Sequence, residues 1–108
     1  MASKALTIKS LGDGQLGNAK ATLFTATAKT VITFFQVFNT DTVNRIVQIY
    51  VKRGATSRTI FYIAAMGTLT GADVLSARKL TLAAGDLIEG NSDAAAKIDW
   101  VLTGVEET

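Results

Sequence analysis

Three pairs of carboxylates stand close together in the sequence: Asp86 with Glu89, Asp93 with Asp99, and Glu106 with Glu107. Two such groups do acid–base work when they converge on one pocket and their surroundings drive their pKa values apart. Nothing in the local sequence brings any of these pairs into a pocket. Asn91, Asp93 and Asp99 offer the oxygen ligands that calcium takes, without the fixed acidic spacing of a calcium loop, so a plain turn is the expectation. Gly12-Asp13-Gly14 and the later glycines do not sit between a strand and a helix, where a phosphate-cradling loop must lie. Histidine and cysteine are both absent. Their absence removes the commonest general base, every Ser-His or Cys-His dyad, thiolate metal sites and any disulfide framework. The expectation is a chain that is not an enzyme and holds neither cofactor nor metal.

Two features remain that bind rather than react. Lys52, Arg53 and Arg58 surround the stretch Arg53-Gly54-Ala55-Thr56-Ser57-Arg58, and such cations grip a phosphate or carboxylate on a partner. Without interleaved aromatics they read as a solvated turn rather than a nucleic-acid site. Trp100 is the single tryptophan, and an indole on a strand serves packing more often than it serves as a ligand platform.

The chain has 108 residues, which suits one domain with one core, burying roughly two-thirds of the unfolded surface. Its 11 basic and 9 acidic residues give a net charge of +2 with no block of like charge, so no nucleic-acid partner is expected. No apolar run reaches the roughly 18 residues of a transmembrane helix, and MASKALTIKS lacks the apolar core of a signal peptide. A soluble chain with no membrane partner and no secretory address is therefore expected.

The elements that position these residues are short strands. The organising stretch is Thr30 to Lys52, two apolar runs around Asn39-Thr40-Asp41-Thr42, and it predicts a β-hairpin. A turn centred on Thr40-Asp41 sets Phe38 opposite Val43, Phe34 opposite Val47 and Ile32 opposite Ile49, which makes that face the core. A one-residue slip would exchange the faces. Residues 1–18 read as a flexible N-terminal arm: a short strand over Lys4 to Ser10, then a glycine-rich connector through Asn18. Residues 19–108 make the sandwich domain.

Further strands are predicted over Ala21 to Thr25, over Thr59 to Ala65 and at Leu87-Ile88. Met66 to Asp73 is expected as loop, and Val74 to Leu82 as a strand or an irregular crossing. The last strand, Ala95 to Glu106, sets Ala96, Ile98, Trp100, Leu102 and Gly104 on a core face, against Lys97, Asp99, Val101, Thr103 and Val105. The fold class that follows is all-β: a single-domain antiparallel β-sandwich, Ig-like or jelly-roll-like, of seven to eight strands.

The order of these segments carries a resemblance. A strand ending in FNTDT, the strand IVQIYV, the phrase LTLAAGDLIEG and a closing strand through IDWVLTGVEET resemble small β-sandwich structural proteins of tailed-bacteriophage virions, over roughly residues 20–108. The resemblance implies a capsid decoration or cement protein that binds and stabilises the head shell as an oligomer, commonly a homotrimer. It implies the major capsid protein as partner, a place on the capsid exterior, and synthesis in the host bacterial cytoplasm. A head-fibre, neck or tail component would look similar. A sandwich binding host-surface carbohydrate would expose aromatics in loops, whereas the eight here fall almost entirely within predicted strands. Beyond the expected core face, the other side of the hairpin gives the candidate oligomer or shell contact: Val31, Phe35, Val37, Ile46 and Tyr50.

Overall fold

The computed structural model describes residues 6–76 and 78–107, and no helix occurs among them. The strands are β1 (Leu6–Gln15), β2 (Ala21–Thr25), β3 (Thr30–Asn39), β4 (Arg45–Arg53), β5 (Thr56–Met66), β6 (Gly71–Asp73), β7 (Leu80–Leu82), β8 (Leu87–Ser92) and β9 (Ile98–Glu107). They form two antiparallel sheets. The first runs β1-β9-β3-β6, with β7 also against β3; the second runs β2-β8-β4-β5. The all-β sandwich class is as expected. Among the described residues the strand count is nine because β6 and β7 divide one edge position, β6 pairing with Gln36–Phe38 and β7 with Thr30–Ile32.

The pairings β1–β9, β2–β8, β3 with β6 and β7, and β4–β5 nest inside one another. Such a ribbon, folded across itself so that β9 meets β3 and β8 meets β4, is a jelly roll. Its innermost hairpin is β4–β5. Gly54, at φ 61°, takes the first central position of the two-residue turn between Arg53 and Thr56, the place where a type II′ turn requires positive φ.

β3 and β4 are therefore not the arms of one hairpin. Phe38 does not face Val43, nor Phe34 Val47, nor Ile32 Ile49: β3 belongs to the first sheet and β4 to the second. The polar break is an arch between sheets. Buried Asn39 holds it, its Nδ2 donating to the carbonyls of Val43 (3.1 Å), Met66 (3.0 Å) and Gly67 (3.2 Å) while its Oδ1 accepts the Asp41 N–H (2.9 Å). Arg45 then bridges Asp41 at 2.7 Å and Asp93 at 3.7 Å. An arch lays the apolar faces of β3 and β4 against each other across the core, which an in-plane hairpin cannot do.

The faces of β3 differ from the expectation as well. Ile32 pairs with Gly104, but Phe34 pairs with Thr103, so Thr33 is an extra residue that breaks the alternation. Beyond this bulge Phe35, Val37 and Asn39 point inward and are fully buried, whereas Phe34 and Phe38, expected in the core, face outward. Ile32, Val47 and Ile49 are core residues as expected.

In β9 the alternation is uninterrupted: Ile98, Trp100, Leu102 and Gly104 are buried, as expected for that strand. Trp100 meets Phe35 edge-on, with centroids 6.5 Å apart at 67°. Its indole also explains β1. Gly12 and Gly14, expected in a flexible connector, are strand residues opposite Leu102 and Trp100, and a Cβ on Gly12 would come within 3.0 Å of the ring. Here glycine makes room for an indole against the backbone instead of loosening the chain. Residues 1–5 of the expected arm lie outside the described residues.

Candidate functional site

The five predicted contact residues fall in three places. Phe35 and Val37 lie in the core, fully buried, and have no surface to offer. The cause is the Thr33 bulge, which turns both inward. Val31, which precedes the bulge, is half-buried on the outward face of the first sheet, opposite Val105. Ile46 and Tyr50 are half-buried on the outward face of the second sheet, Ile46 just before the inward Val47 and Tyr50 between the inward Ile49 and Val51. The structure thus does not bring the set together.

It assembles a different set instead. Outward on β3 stand Phe34 and Phe38, 44% and 38% exposed, with Gln36 between them. Register places Val101 of β9, 41% exposed, beside Gln36. At the Phe38 end the neighbouring strand contributes Gly71, where a Cβ would come within 3.3 Å of the Phe38 ring and 3.0 Å of Gln36 Nε2. At the other end the strip continues to Val31 and Val105, which with Lys29 and Glu107 line a shallow cavity of about 300 Å³. The result is an apolar strip along β3 and β9, bordered on the β1 side by the Gln15 Nε2–Asp99 Oδ1 hydrogen bond of 2.9 Å. Apolar surface of this kind, rimmed by polar groups, is where a sheet meets another macromolecule.

The second sheet's outward face is chemically different. The Tyr50 hydroxyl donates to Asn91 Oδ1 (2.7 Å), Ser57 Oγ donates to Glu89 Oε1 (3.1 Å), and Gln48 Nε2 donates to Thr59 Oγ1 (3.0 Å). Lys20 Nζ reaches Ser57 Oγ at 3.5 Å and lies 4.7 Å from the centroid of the Tyr50 ring. Burial, and then the Glu89 carboxylate, hold the Tyr50 phenol above its ordinary value, so it is a neutral hydrogen-bond donor. These polar groups satisfy one another across strands.

The carboxylates do not converge. Asp86 accepts the Ala83 N–H and pairs with Arg53, closing a turn. Glu89 lies on the second sheet, Asp93 bonds Arg45 and the Ile46 N–H at the arch, and Asp99 lies on the first sheet. Asn91 is engaged by Tyr50. Among the described residues no group of three or more acidic side chains is placed to hold a metal. What sequence reasoning missed is the Phe34–Phe38 pair. The assignment of Val101 to an outward face pointed to it, but only the β3–β9 register shows that the three are neighbours.

No protein-family model matches the sequence, and no curated protein matches it. Likeness appears among solved structures. A Bacillus endospore appendage subunit, from a family of disulfide-linked pili, is 15% identical, with 99% of this chain covering 91% of that one at a TM-score of 0.59. A Drosophila NLP core, described for pentamer formation and histone binding, is 9% identical, with 90% of this chain covering 98% of that one at a TM-score of 0.53. A pentameric capsid protein isolated from metagenomic phage sequences is 16% identical, with 91% of this chain spanning 60% of that one; its TM-score of 0.49 carries no argument. None of the three is described as an enzyme. At these identities the first two likenesses extend to the fold: a small all-β sandwich.

Proposed function

We propose that this chain is a structural protein of a bacteriophage virion, a decoration or cement protein on the outside of the head shell. It acts there as a homotrimer with the major capsid protein as partner, and is made in the host bacterial cytoplasm. The observation that carries the reading is the apolar strip of Val31, Phe34, Val101 and Phe38, an outward surface that a solitary sandwich has no use for. The segment order from FNTDT to IDWVLTGVEET supports the virion setting, and the jelly-roll sandwich is an architecture that shell proteins use.

The mechanism is mass action. A sandwich that binds across neighbouring shell subunits lowers the free energy of the assembled shell relative to the dissociated one. Trimerisation turns individually weak contacts into avid attachment. Light scattering on the purified protein is expected to give a particle of three 11.4 kDa chains. Particles carrying the protein are expected to rupture at higher temperature than particles stripped of it; equal rupture temperatures would remove the cement reading.

A further inference from the structure

One of the two edges of the sandwich is made by β5 and by β6 and β7. Among the described residues β5 pairs only with β4, and β7 only with β3, so each presents one unpaired side there. Between them run two adjoining cavities of about 320 and 520 Å³ that share Ile60 and Leu80. Their floor is apolar, built from Val51, Ile60, Val74, Leu75 and Leu80. Two departures from regular strand shape it. A bulge in β5 at Ile60, between the pairs Ile49–Phe61 and Tyr50–Thr59, leaves Ile60 lining both cavities. After Val74, whose N–H still bonds the Phe35 carbonyl, residues 75–76 and 78–79 turn away from β3, held by Leu75 N–H to Asp73 Oδ1 (3.0 Å) and Arg78 N–H to the Leu75 carbonyl (2.9 Å), and form the opposite wall.

The rim is cationic, and its members differ. Arg53 is engaged, donating to the Thr81 carbonyl at 2.7 Å and pairing with Asp86 at 3.3 Å. The side chains of Arg58, Arg78 and Lys79 are exposed and make no hydrogen bond or ion pair among the described residues. Among the described residues no acidic side chain lines either cavity.

We infer that this groove is a docking site for an extended acidic segment of a partner protein, one that alternates carboxylate and apolar side chains. The unpaired edge of β5 supplies main-chain hydrogen bonds to an added strand, the apolar floor takes every second side chain, and Arg58, Arg78 and Lys79 take the carboxylates between. The apolar floor separates this site from a phosphate-backbone groove, which is lined by cations and stacking aromatics. The inference does not depend on the virion reading.

The test titrates the full chain with a synthetic octapeptide of alternating Glu and Leu, followed by amide NMR shifts and fluorescence anisotropy at low salt. Saturable binding is expected, with shifts confined to β5 and to residues 74–80, and with affinity weakening by roughly an order of magnitude as ionic strength rises to about 0.3 M. Arg58→Glu and Arg78→Glu are each expected to weaken binding about tenfold while the thermal midpoint stays in place, since both side chains are exposed. The same peptide N-methylated at alternate residues is expected not to bind. Overturning results are no binding of the acidic peptide at about 1 mM, equal binding of its Lys-Leu counterpart, or undiminished binding of the N-methylated peptide. Tighter binding of laurate or of an oligothymidylate would give the groove to another ligand class and also overturn the inference.

Discussion

The two outward faces of this sandwich rest on one core and differ in how they are finished. On the second sheet Tyr50, Asn91, Ser57, Glu89 and Lys20 bond to one another across β5, β4, β8 and the entrance to β2. On the first sheet Phe34, Phe38 and Val101 surround the Gln36 amide, whose neighbour across β6 is Asp73. The first arrangement uses its polar groups up internally; the second leaves apolar area whose best-satisfied state is against something else. Exposed aromatics are informative here because the face behind them is already full: Phe35, Val37 and Trp100 occupy the core, and Phe34 and Phe38 have no place in it.

The sharpest way to break this comparison is to truncate neighbours on one strand. Phe35→Ala should cost about 3–5 kcal/mol in urea unfolding, whereas Phe34→Ala should fall within about 0.5 kcal/mol. Similar losses would mean that the outward face is not outward in solution. Next in size is the double variant Phe34→Ser with Phe38→Ser. It should raise the dissociation constant of the proposed trimer on the order of 100-fold by sedimentation, with little change in monomer stability. Asn39→Ala should cost about 1–3 kcal/mol, because it orphans the buried carbonyls that the amide satisfies and loosens the arch that separates the two faces.

Smaller effects sharpen the polar side of the comparison. Tyr50→Phe should cost about 0.5–1.5 kcal/mol and leave association unchanged. At the arch, the hydrogen bond from Arg45 and then that from the Thr42 N–H hold the Asp41 carboxyl below its ordinary value of 3.8. A carboxyl depressed in the folded state stabilises it above the ordinary value, and that contribution is lost as pH falls through the lower folded value. Acid unfolding followed below pH 3.8 should therefore be shallower in Asp41→Asn than in the parent, and unchanged slopes would show that the pair does not contribute.

How much of this could be read in advance depended on how local the signal was. β2 and the inward set of β9 were legible because five and ten residues, respectively, carried their own pattern, and the sandwich class followed from many such stretches. The arch was not, since an apolar run, a polar break and a second apolar run describe a hairpin equally well. What decides is Asn39 reaching carbonyls 27 and 28 residues away. The faces of β3 were hidden by Phe34-Phe35, where either parity buries an aromatic and only the pairing with Thr103 selects one. The glycines of β1 read as loop because the indole that needs them lies more than 80 residues on. The groove was half visible: Arg58 stood out beside a turn, but Arg78 and Lys79 join it only through the β5–β7 edge.

The bulge at Thr33 has a genetic side. Thr33 is the residue that β3 carries in excess, so losing its codon in frame would restore plain alternation and keep Ile32, Phe35, Val37 and Asn39 inward. Losing the Gln36 codon, an equally small deletion, would turn Val37 and Asn39 toward solvent and Phe38 into the core. Within one strand, then, two three-nucleotide deletions a few codons apart have opposite consequences: the first keeps the inward set of the strand and the second inverts it.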